Sequence, residues 1–334
     1  MDIYKNYLDN IREALTMSTA GNTLNESIDK SFKSEQIRLL ADSAQANPMP
    51  SLMKLSSEWN LQPALNQKLG LHPDFEYLKK TLGFEEHYIH SMFIDIKRST
   101  NLFKRYSPLV VAIITNTVQR AAIHTCMMFG GYVHRLHGDG TFVYFGGRNQ
   151  TPKESIHRCL QAASLFSHFM KTDLRGLFEA HNIEPIYTRI GIDYGDDKHV
   201  IWTMAGVGEV SEVTTCSLHT SLAPKMQAHA EGNGIVVGDN ILKLYPTEFY
   251  SPVCHRPGKE KFRYIFTDPD NNFYYTQHDF NWQKFLKASD KIVTNALTGE
   301  ISIKPKQVLP SATTSALASI ASTNRPYYDG EPTA

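Results

Sequence analysis

The sequence predicts an α+β fold in which an antiparallel sheet carries helices packed on one face. Strands and long helical patterns alternate from about residue 85, in the order strand, helix, hairpin, helix, strand. The hairpin is indicated by the run GGYVHRLHGDGTFVYF at residues 130–145, because an Asp-Gly pair between two β-rich arms favours a tight turn. This order of elements is the ferredoxin-like arrangement.

The individual elements follow from residue patterns in chain order. Residues 1–84 are polar, with apolar residues at helical spacing in 38–41 and 61–69 and prolines at 48, 50 and 73, which predicts a helical N-terminal extension. Residues 287–334 are rich in Ser, Thr, Ala and Pro, which predicts a flexible tail or an extended arm. Between them, the domain of residues 85–286 should contain strands at 87–96, 132–146 (the hairpin), 187–195, 199–205, 234–238, 250–256 and 261–267, and helices at 108–129, 152–181 and 217–231.

Composition and charge are those of an ordinary globular protein. The chain has 334 residues with 34 basic and 34 acidic side chains, so a nucleic-acid-binding surface is not indicated. Its 4 cysteines show no C-x-x-C spacing, which indicates free thiols in a reducing compartment. The N-terminus lacks a signal-peptide pattern, and the most apolar run, at residues 109–118, is too short to span a membrane. These features predict a soluble cytoplasmic protein with no nucleic-acid or membrane partner.

Two carboxylates and a basic turn point to a metal–nucleotide site. Asp95 lies near the end of the apolar strand HSMFIDI, and Asp139 lies at the hairpin tip. A carboxylate in an apolar strand is costly unless it is paired or binds a metal, and two such groups can hold hard divalent cations through oxygen. The turn at residues 97–100 (KRST) is basic, carries hydroxyl groups and precedes a helix, which suits phosphate. The alternative for Asp139 is that it only shapes the turn.

Four sequence blocks occur in order between about residues 85 and 285. The first combines F-x-D-I with T-x-L, through Phe93, Asp95, Ile96, Thr100 and Leu102. The others are GG-x6-GDG at residues 130–140, RIGIDYG at 189–195 and SLAPKM at 221–226. The last two are similar to the patterns R-x-G-I-x-x-G and N-x-A-x-R-M. Together the four blocks resemble the catalytic domain of class III nucleotidyl cyclases.

The resemblance implies a two-metal site and assigns roles to residues. Two divalent cations, Mn²⁺ or Mg²⁺, would be held by Asp95, Ile96 and Asp139, activating the ribose 3′-hydroxyl and neutralising the triphosphate. Ser221 and Lys225 stand where relatives carry an Asn that orients the ribose and an Arg that stabilises the transferring phosphate, so a degenerate copy is an alternative. Contacts with the substrate are implied for Phe93, Ile96, Lys97, Arg98, Ser99, Thr100 and Arg189.

Two of these implied contacts, at the Arg98–Ser99 turn and at Arg189, differ from the family pattern or have an alternative interpretation. The family commonly carries Gly-Phe where this chain has Arg98 and Ser99, which can alter the path of the loop. Arg189 matches an Arg that contacts phosphates in many relatives. Its alternative is a structural, ion-paired Arg on a strand.

The purine-reading signature of the family is absent. Adenylate cyclases carry Lys, and guanylate cyclases Glu, four residues before the hairpin Asp, where this chain has Arg135. The second position, an Asp in adenylate cyclases, is Thr214. Arg is donor-only and suits the O4 acceptor of uracil, so UTP is the favoured substrate. The alternative is an Arg135 paired to an acid while another residue reads the base. Tyr88 is a further candidate, which either bounds the base or belongs to the core.

These features resemble the bacterial pyrimidine cyclases of Pycsar antiphage systems, whose cyclic UMP or cyclic CMP product is read by a separate effector. The resemblance implies a homodimer with composite sites, in which Asp95, Asp139 and Arg135 come from one subunit and Ser221 and Lys225 from the other. The prediction is a uridylate cyclase. The alternatives are a cytidylate or purine cyclase and, in another class, an inactive nucleotide-binding module that signals through its N-terminal helices.

Overall fold

The computed structural model describes residues 2–20, 26–43, 48, 50–294 and 301–304. Contacts between Cα atoms divide the chain into Met1–Ile303 and Lys304–Ala334, and of the second unit only Lys304 belongs to the described residues. This division does not test the predicted boundaries after residues 84 and 286, which stay a prediction.

The strands of the described residues form one large sheet and two small ones. In chain order they are β1 (Phe84–Glu86), β2 (Ile89–Lys97), β3 (Tyr132–His137), β4 (Gly140–Phe145), β5 (Tyr187–Gly195), β6 (Ile201–Val207), β7 (Val210–Cys216), β8 (Gly234–Gly238), β9 (Tyr250–Pro252), β10 (Tyr264–Asp268), β11 (Phe273–Phe280), β12 (Ile292–Thr294) and β13 (Ile301–Ile303). The large sheet runs β10-β11-β8-β5-β2-β4-β3, and β9 also pairs with β11. Only β5 and β8 are parallel among the described pairs of this sheet. The small sheets are β1-β6-β7 and β12-β13.

The helices begin where capping residues stand in the sequence. Ser107 accepts a hydrogen bond from the N–H of Val110, and Thr151 forms a capping box with Glu154; a Pro follows each cap. In chain order the helices are α1 (Lys5–Ala20), α2 (Glu26–Ser43), α3 (Pro50–Glu58), α4 (Leu78–Thr81), α5 (Pro108–Met128), α6 (Pro152–His168), α7 (Arg175–Ala180), α8 (Leu218–His229), α9 (Asp239–Leu244) and α10 (Trp282–Ala288). A π-helical segment, Phe169–Leu174, joins α6 to α7.

The long helices α5 and α6 pack on one face of the large sheet, as predicted. Met92, Ile94 and Ile96 alternate along β2 and join the core that these helices share. The helix α8 lies on the opposite face, which the sequence argument did not include. Gly191 of β5 permits this approach, because a Cβ there would lie 2.0 Å from the carbonyl oxygen of Ala223. The sheet is therefore covered on both sides where the predicted site residues lie.

Several predicted elements differ from the structure. The helical spacing in residues 61–69 is misleading, because no helix forms there and Lys68 makes an isolated bridge to Leu71. The strand predicted at 250–256 ends at Pro252 and continues as a 3₁₀-helix. The strands β7 and β11 were not predicted, although β11 opens on Phe, Tyr, Tyr and Thr, residue types that strands favour. Pairing with β6 and β8 holds these two segments extended.

The C-terminal segment predicted as a tail begins as a pair of strands. β12 pairs with β13, and Ile292 is buried in the main core. Residues 305–334, which make up most of the predicted tail, lie outside the described residues.

Two findings bear on the expectations from composition. No disulfide joins Cys126, Cys159, Cys216 or Cys254, all of which lie in the described ranges. Among the helices that the structure describes, none combines the length and the apolar character needed to cross a bilayer.

His90 of β2 is a buried titratable group whose neutral form the fold requires. Its Nε2 donates to the carbonyl oxygen of Pro152 at 3.0 Å, since that oxygen can only accept. Its Nδ1 is buried and has no hydrogen-bond partner among the described residues. Burial lowers the pKa of His90 from 6.5 to about 3.

Lowering the pH from 7 to 5 is expected to remove about 2 kcal/mol of unfolding free energy through His90 alone. The folded-state pKa lies below the unfolded value, so the contribution is complete above pH 6.5 and falls as the pH drops, because only the unfolded chain takes up the proton. The variant His90→Gln keeps a donor near Nε2 and does not titrate. The free energy of unfolding is measured in urea at pH 7 and at pH 5. Between these two pH values it should fall by about 2 kcal/mol less in His90→Gln than in the wild type. Equal losses would contradict the prediction.

Candidate active site

The pairing of β2 with β4 brings the two predicted metal-binding carboxylates to one edge of the sheet. Ile94 pairs with Thr141 in an antiparallel register. This is the last pair of the two strands, so Asp95 and Ile96 at the end of β2 and the turn that carries Asp139 before β4 lie just beyond the same end of this pairing. Asp95, the main chain of Ile96 and the hairpin tip therefore meet at this edge.

Asp95 is held by two neighbouring side chains. Its Oδ2 accepts a hydrogen bond from Arg189 Nη2 at 2.5 Å and one from Gln227 Nε2 at 2.8 Å. Arg189 is the cross-strand partner of Asp95 on β5, and its own Nε is buried without a hydrogen-bond partner among the described residues. Arg189 thus forms an ion pair on a strand, which was the alternative to a phosphate contact, but its partner is the predicted site residue Asp95. Its contact with phosphate stays a prediction.

The turn that carries Asp139 is fixed by a side chain of α5. Gln119 Nε2 donates to the carbonyl oxygens of Gly138 and Gly140, at 3.1 and 3.2 Å. Gly138 has φ +59°, a conformation that favours glycine. The carboxylate of Asp139 forms no hydrogen bond or ion pair with the described residues, so it does not shape the turn through its side chain. It is half-buried and available as a ligand.

The basic turn after β2 takes an unusual backbone path. Arg98 has φ +71°, in the left-handed region that favours glycine, the residue that the resemblance implies at this position. Its guanidinium bonds Glu184 Oε1 at 2.9 Å and lies 5.6 Å from the ring centroid of Tyr187. The Arg98 side chain therefore binds residues beside β5, while its backbone keeps the turn. Lys97 and Thr100 are exposed and Ser99 is half-buried, and their phosphate contacts stay predictions.

The helix α8 presents different residues to the sheet and to solvent. Thr220 contacts Ser91 at 3.1 Å and Gln227 contacts Asp95, so this face of the helix lies on β2. Ser221 and Lys225 are exposed, and helical geometry turns them about 100° and 140° away from Thr220. Within one chain, these two predicted catalytic residues therefore do not face Asp95.

Of the two predicted base-reading residues, Arg135 lines a cavity, whereas Thr214 is not among the lining residues of that cavity. Arg135 forms a two-point ion pair with Glu212 of β7, with its Nε 3.1 Å from Oε2. Thr214 is 3.1 Å from Nε2 of His134, the neighbour of Arg135. The structure therefore shows Arg135 paired to an acid, which was its alternative interpretation, and the acid is Glu212. A cavity of about 480 Å³ opens beside this pair.

Residues of the N-terminal extension complete this cavity. The N–H of Gly70 donates to the carbonyl oxygen of His134 at 3.0 Å, and the Gly70 carbonyl oxygen accepts from Val213 N–H at 2.6 Å. A Cβ on Gly70 would lie 2.6 Å from Cβ of Glu212, so only glycine permits this approach. The extension therefore helps to hold the Arg135–Glu212 pair in place.

Of the remaining predicted contacts, Phe93 lies near this site and Tyr88 does not. Phe93 faces the same side of β2 as Asp95 and packs 5.9 Å from the ring of Phe142. Tyr88 precedes the opposite end of β2, roughly 23 Å from Asp95 by strand rise. Its hydroxyl donates to the carbonyl oxygen of Gln150 at 2.5 Å, and it is 5% exposed. The structure thus places Tyr88 in the core, which was its alternative.

The donors at the carboxylate edge fit a hard divalent cation. Asp95 and Asp139 supply carboxylate oxygens, and Ile96 has only its carbonyl oxygen to offer. No cluster of three or more His, Cys, Asp or Glu side chains that could hold a metal occurs among the described residues. Any ion here would therefore need backbone or substrate oxygens besides the two carboxylates, as Mg²⁺ and Mn²⁺ accept in nucleotide sites.

Three candidate functional residues were not predicted from the sequence. Glu212 and Gln227 contact the predicted site residues Arg135 and Asp95, and Gln119 bonds the turn that carries Asp139. Gln227 follows Lys225 by two residues and lies two turns after Thr220, so the helical period of α8 was the signal that could have found it. For Gln119 and Glu212 no local pattern existed.

Comparisons with known proteins agree with the motifs. No protein-family model matches the chain. A cytidylate cyclase of Staphylococcus aureus is 36% identical over 226 residues, which are 67% of this chain and 53% of that protein. A cytidylate cyclase of Escherichia coli is 33% identical over 180 residues, 53% of this chain and 39% of that protein. This chain thus spans about half the length of these curated relatives or less.

Among solved structures, the adenylyl cyclase CyaB from P. aeruginosa has a TM-score of 0.49 and 17% identity, over 60% of this chain and 96% of that chain. The four sequence blocks fall on β2, the β3–β4 hairpin, β5 and α8 of the described fold. The chain therefore carries, in order, motifs that resemble those of class III nucleotidyl cyclases, and its sequence is similar to that of cyclases named for a pyrimidine nucleotide.

Proposed function

We propose that this chain is a pyrimidine nucleotide cyclase, which converts CTP or UTP to the 3′,5′-cyclic monophosphate and pyrophosphate. The observation that carries the proposal is that Asp95, Ile96 and the turn of Asp139 lie at the same end of the paired strands β2 and β4, in a chain whose ordered motifs resemble those of cyclases. The length that the relatives have beyond this chain can hold other activities, so the proposal concerns the cyclase reaction alone.

The mechanism assigns the carboxylate edge to the triphosphate and the exposed face of α8 to the transferring phosphate. Asp95, Asp139 and the Ile96 carbonyl would hold the divalent cations, which lower the pKa of the 3′-hydroxyl and neutralise the leaving pyrophosphate. Arg189 and Gln227 orient the Asp95 carboxylate, as supporting residues do at metal sites. Lys225 would place its charge near the transferring phosphate and Ser221 would bond a ribose oxygen, both from a second copy of the chain.

The Arg135–Glu212 pair supports CTP as the first candidate substrate. The acid adds an acceptor to the donor-only Arg, so the pair can accept from the N4 amino group of cytosine and donate to its N3 or O2. The names of the two relatives favour the same base. UTP is the second candidate, favoured if Arg135 leaves Glu212 and donates to O4 of uracil. A purine is disfavoured by the absent purine signature.

The remaining parts of the proposal come from the resemblance. They are a homodimer with composite sites, a cyclic nucleotide that a separate effector reads, and a role in antiphage defence. The alternative of another class, an inactive nucleotide-binding module, draws on the replacement of the family's Asn and Arg by Ser221 and Lys225. Both predicted metal-binding carboxylates are kept, which supports activity, because a half-buried carboxylate without a partner among the described residues, as at Asp139, is costly without a function.

The test is incubation of the purified protein with equal concentrations of ATP, GTP, CTP and UTP and with Mn²⁺, followed by chromatography and mass identification. A dominant cyclic CMP product is expected. A dominant cyclic UMP product would keep the cyclase and assign the base to Arg135 alone, and a cyclic purine product would contradict the pyrimidine proposal. Bound nucleotide without any cyclic product would favour the inactive module.

In the same assay, Glu212→Gln is expected to lower the ratio of cyclic CMP to cyclic UMP about 10-fold, because one base contact is worth roughly 1–3 kcal/mol. The matched control is Glu209→Gln, an exposed residue in the turn between β6 and β7.

A further inference from the structure

A second cavity lies away from the carboxylate edge, between α1, α2 and α5. It has a volume of about 510 Å³ and is lined by Lys5, Asn6 and Asn10 of α1 and by Arg120 of α5, together with acidic side chains. The helices around it belong to the N-terminal extension and to the core helix on which the extension packs. The proposed cyclase reaction uses none of these residues.

Arg120 is the unusual residue of this cavity. It is 5% exposed, yet its Nε, Nη1 and Nη2 have no hydrogen-bond partner among the described residues. Its guanidinium lies 5.0 Å from the ring centroid of Tyr7, a contact that compensates only part of the cost of burial. Arg remains charged in proteins, so a buried guanidinium needs acceptors for its donors.

The acids that line the cavity are engaged elsewhere. Asp9 pairs with Arg12, and both Glu13 and Asp42 pair with Arg38 at 2.7 Å. Asp42 is the acid whose charge acts on Arg120, but it does not hydrogen-bond the guanidinium. The donors of Arg120 are thus left for an acceptor that the described residues do not supply.

The other polar groups of the cavity wall can add donors. Lys5 is exposed and forms no ion pair with the described residues. The amide of Asn10 is oriented by Thr117, which donates to its Oδ1 at 2.8 Å, and one N–H of its Nδ2 is directed to the carbonyl oxygen of Leu39 at 3.5 Å, which leaves the second N–H. A fork of guanidinium donors with an ammonium and amides nearby matches the two oxygens of a phosphate or carboxylate group.

We propose that this cavity binds a small oxyanion, a phosphate or carboxylate group, on the Arg120 guanidinium. This site is separate from the nucleotide site and does not depend on the proposed function. Without the anion, Arg120 is an unpaired buried charge, and the anion supplies its missing acceptors.

The test is thermal unfolding of the full chain with EDTA present, so that the carboxylate edge holds no metal. Sodium phosphate and sodium succinate are each titrated against sodium chloride of equal ionic strength. A saturable rise in Tm of at least about 2 °C is expected with one of them, because ligand binding stabilises only the folded chain. The salt with the lower half-saturating concentration identifies phosphate or carboxylate as the ligand group.

Arg120→Met keeps the apolar stem over Tyr7 and removes the charge. It should abolish the rise in Tm, and in chloride it should leave Tm unchanged or higher, because a buried unpaired charge is lost. Arg175→Met, which removes an exposed guanidinium paired with Glu179, should keep the full anion response. If Arg120→Met does not fold, Arg120→Lys should fold and need about 10-fold more anion, since lysine lacks the fork.

Three results would overturn the proposal. The first is a wild-type Tm that neither salt raises above chloride. The second is an equal rise in wild type and Arg120→Met, which places the anion elsewhere. The third is a marked loss of stability in Arg120→Met that Asp42→Asn reproduces, which would mean that Asp42 is the partner of Arg120 in solution.

Discussion

Replacing Asp139 with Asn is expected to lower the rate of cyclic nucleotide formation at least about 10³-fold, which equals about 4 kcal/mol of transition-state stabilisation. Asn keeps the shape of the side chain but removes the charge that a divalent cation requires. The fold should survive, because the turn is held by Gln119 and Gly138 and the Asp139 carboxylate has no partner among the described residues. Product formation per folded protein, with Tm measured in parallel, checks both parts.

The matched control for this prediction is Asp270→Asn. Asp270 is an exposed residue in the turn between β10 and β11, remote in sequence from the four cyclase blocks. It should retain full activity and an unchanged Tm. An Asp139→Asn variant that keeps more than a tenth of wild-type activity would show that the hairpin carboxylate is not a metal ligand and only occupies the turn.

The parts of the fold that sequence reasoning predicted best are those with local signals. The β3–β4 hairpin is set by Gly-Asp-Gly between β-rich arms, and the start of α5 is set by Ser107 followed by a Pro. The first half of β11, Phe273–Thr276, has residue types that strands favour and was missed, whereas its polar half, Gln277–Asp279, carries no local strand signal and is extended through pairing with β8. Local chemistry determines where an element begins, and distant pairing decides whether a polar segment joins a sheet.

The same distinction applies to the candidate site. Asp95 and Asp139 can be found from sequence because a charge in an apolar strand and a charge in a glycine turn are local anomalies. Glu212 cannot, because an acid in a half-exposed strand is ordinary until the fold places it beside Arg135, 77 residues away in sequence. The prediction that Arg135 alone contacts O4 of the base therefore left out Glu212, and the proposed base contact involves the pair.

Mixing Asp139→Ala chains with Lys225→Ala chains is expected to restore about a quarter of wild-type activity, while each variant alone is nearly inactive. In a symmetric dimer with composite sites, random exchange makes half of the dimers mixed, and each mixed dimer has one intact site of two. The structural reason is the orientation of α8: Gln227 bonds Asp95 of the same chain, whereas Ser221 and Lys225 are exposed and turned away from the sheet. A second copy can supply these groups to the carboxylate edge.

The measurement is cyclic nucleotide formation as a function of the mixing ratio, after the subunits have been allowed to exchange. Activity should follow the product of the two mole fractions, because only mixed dimers contribute, and it should peak at equal amounts. Both variants must show the wild-type Tm, and a mixture of Asp139→Ala with Asp95→Ala is the control, since both changes affect the same half-site and no intact site forms. Activity that stays at the level of the single variants across all ratios would place Lys225 outside the reaction or in the same site as Asp139, and the orientation of α8 would then have to change when substrate binds.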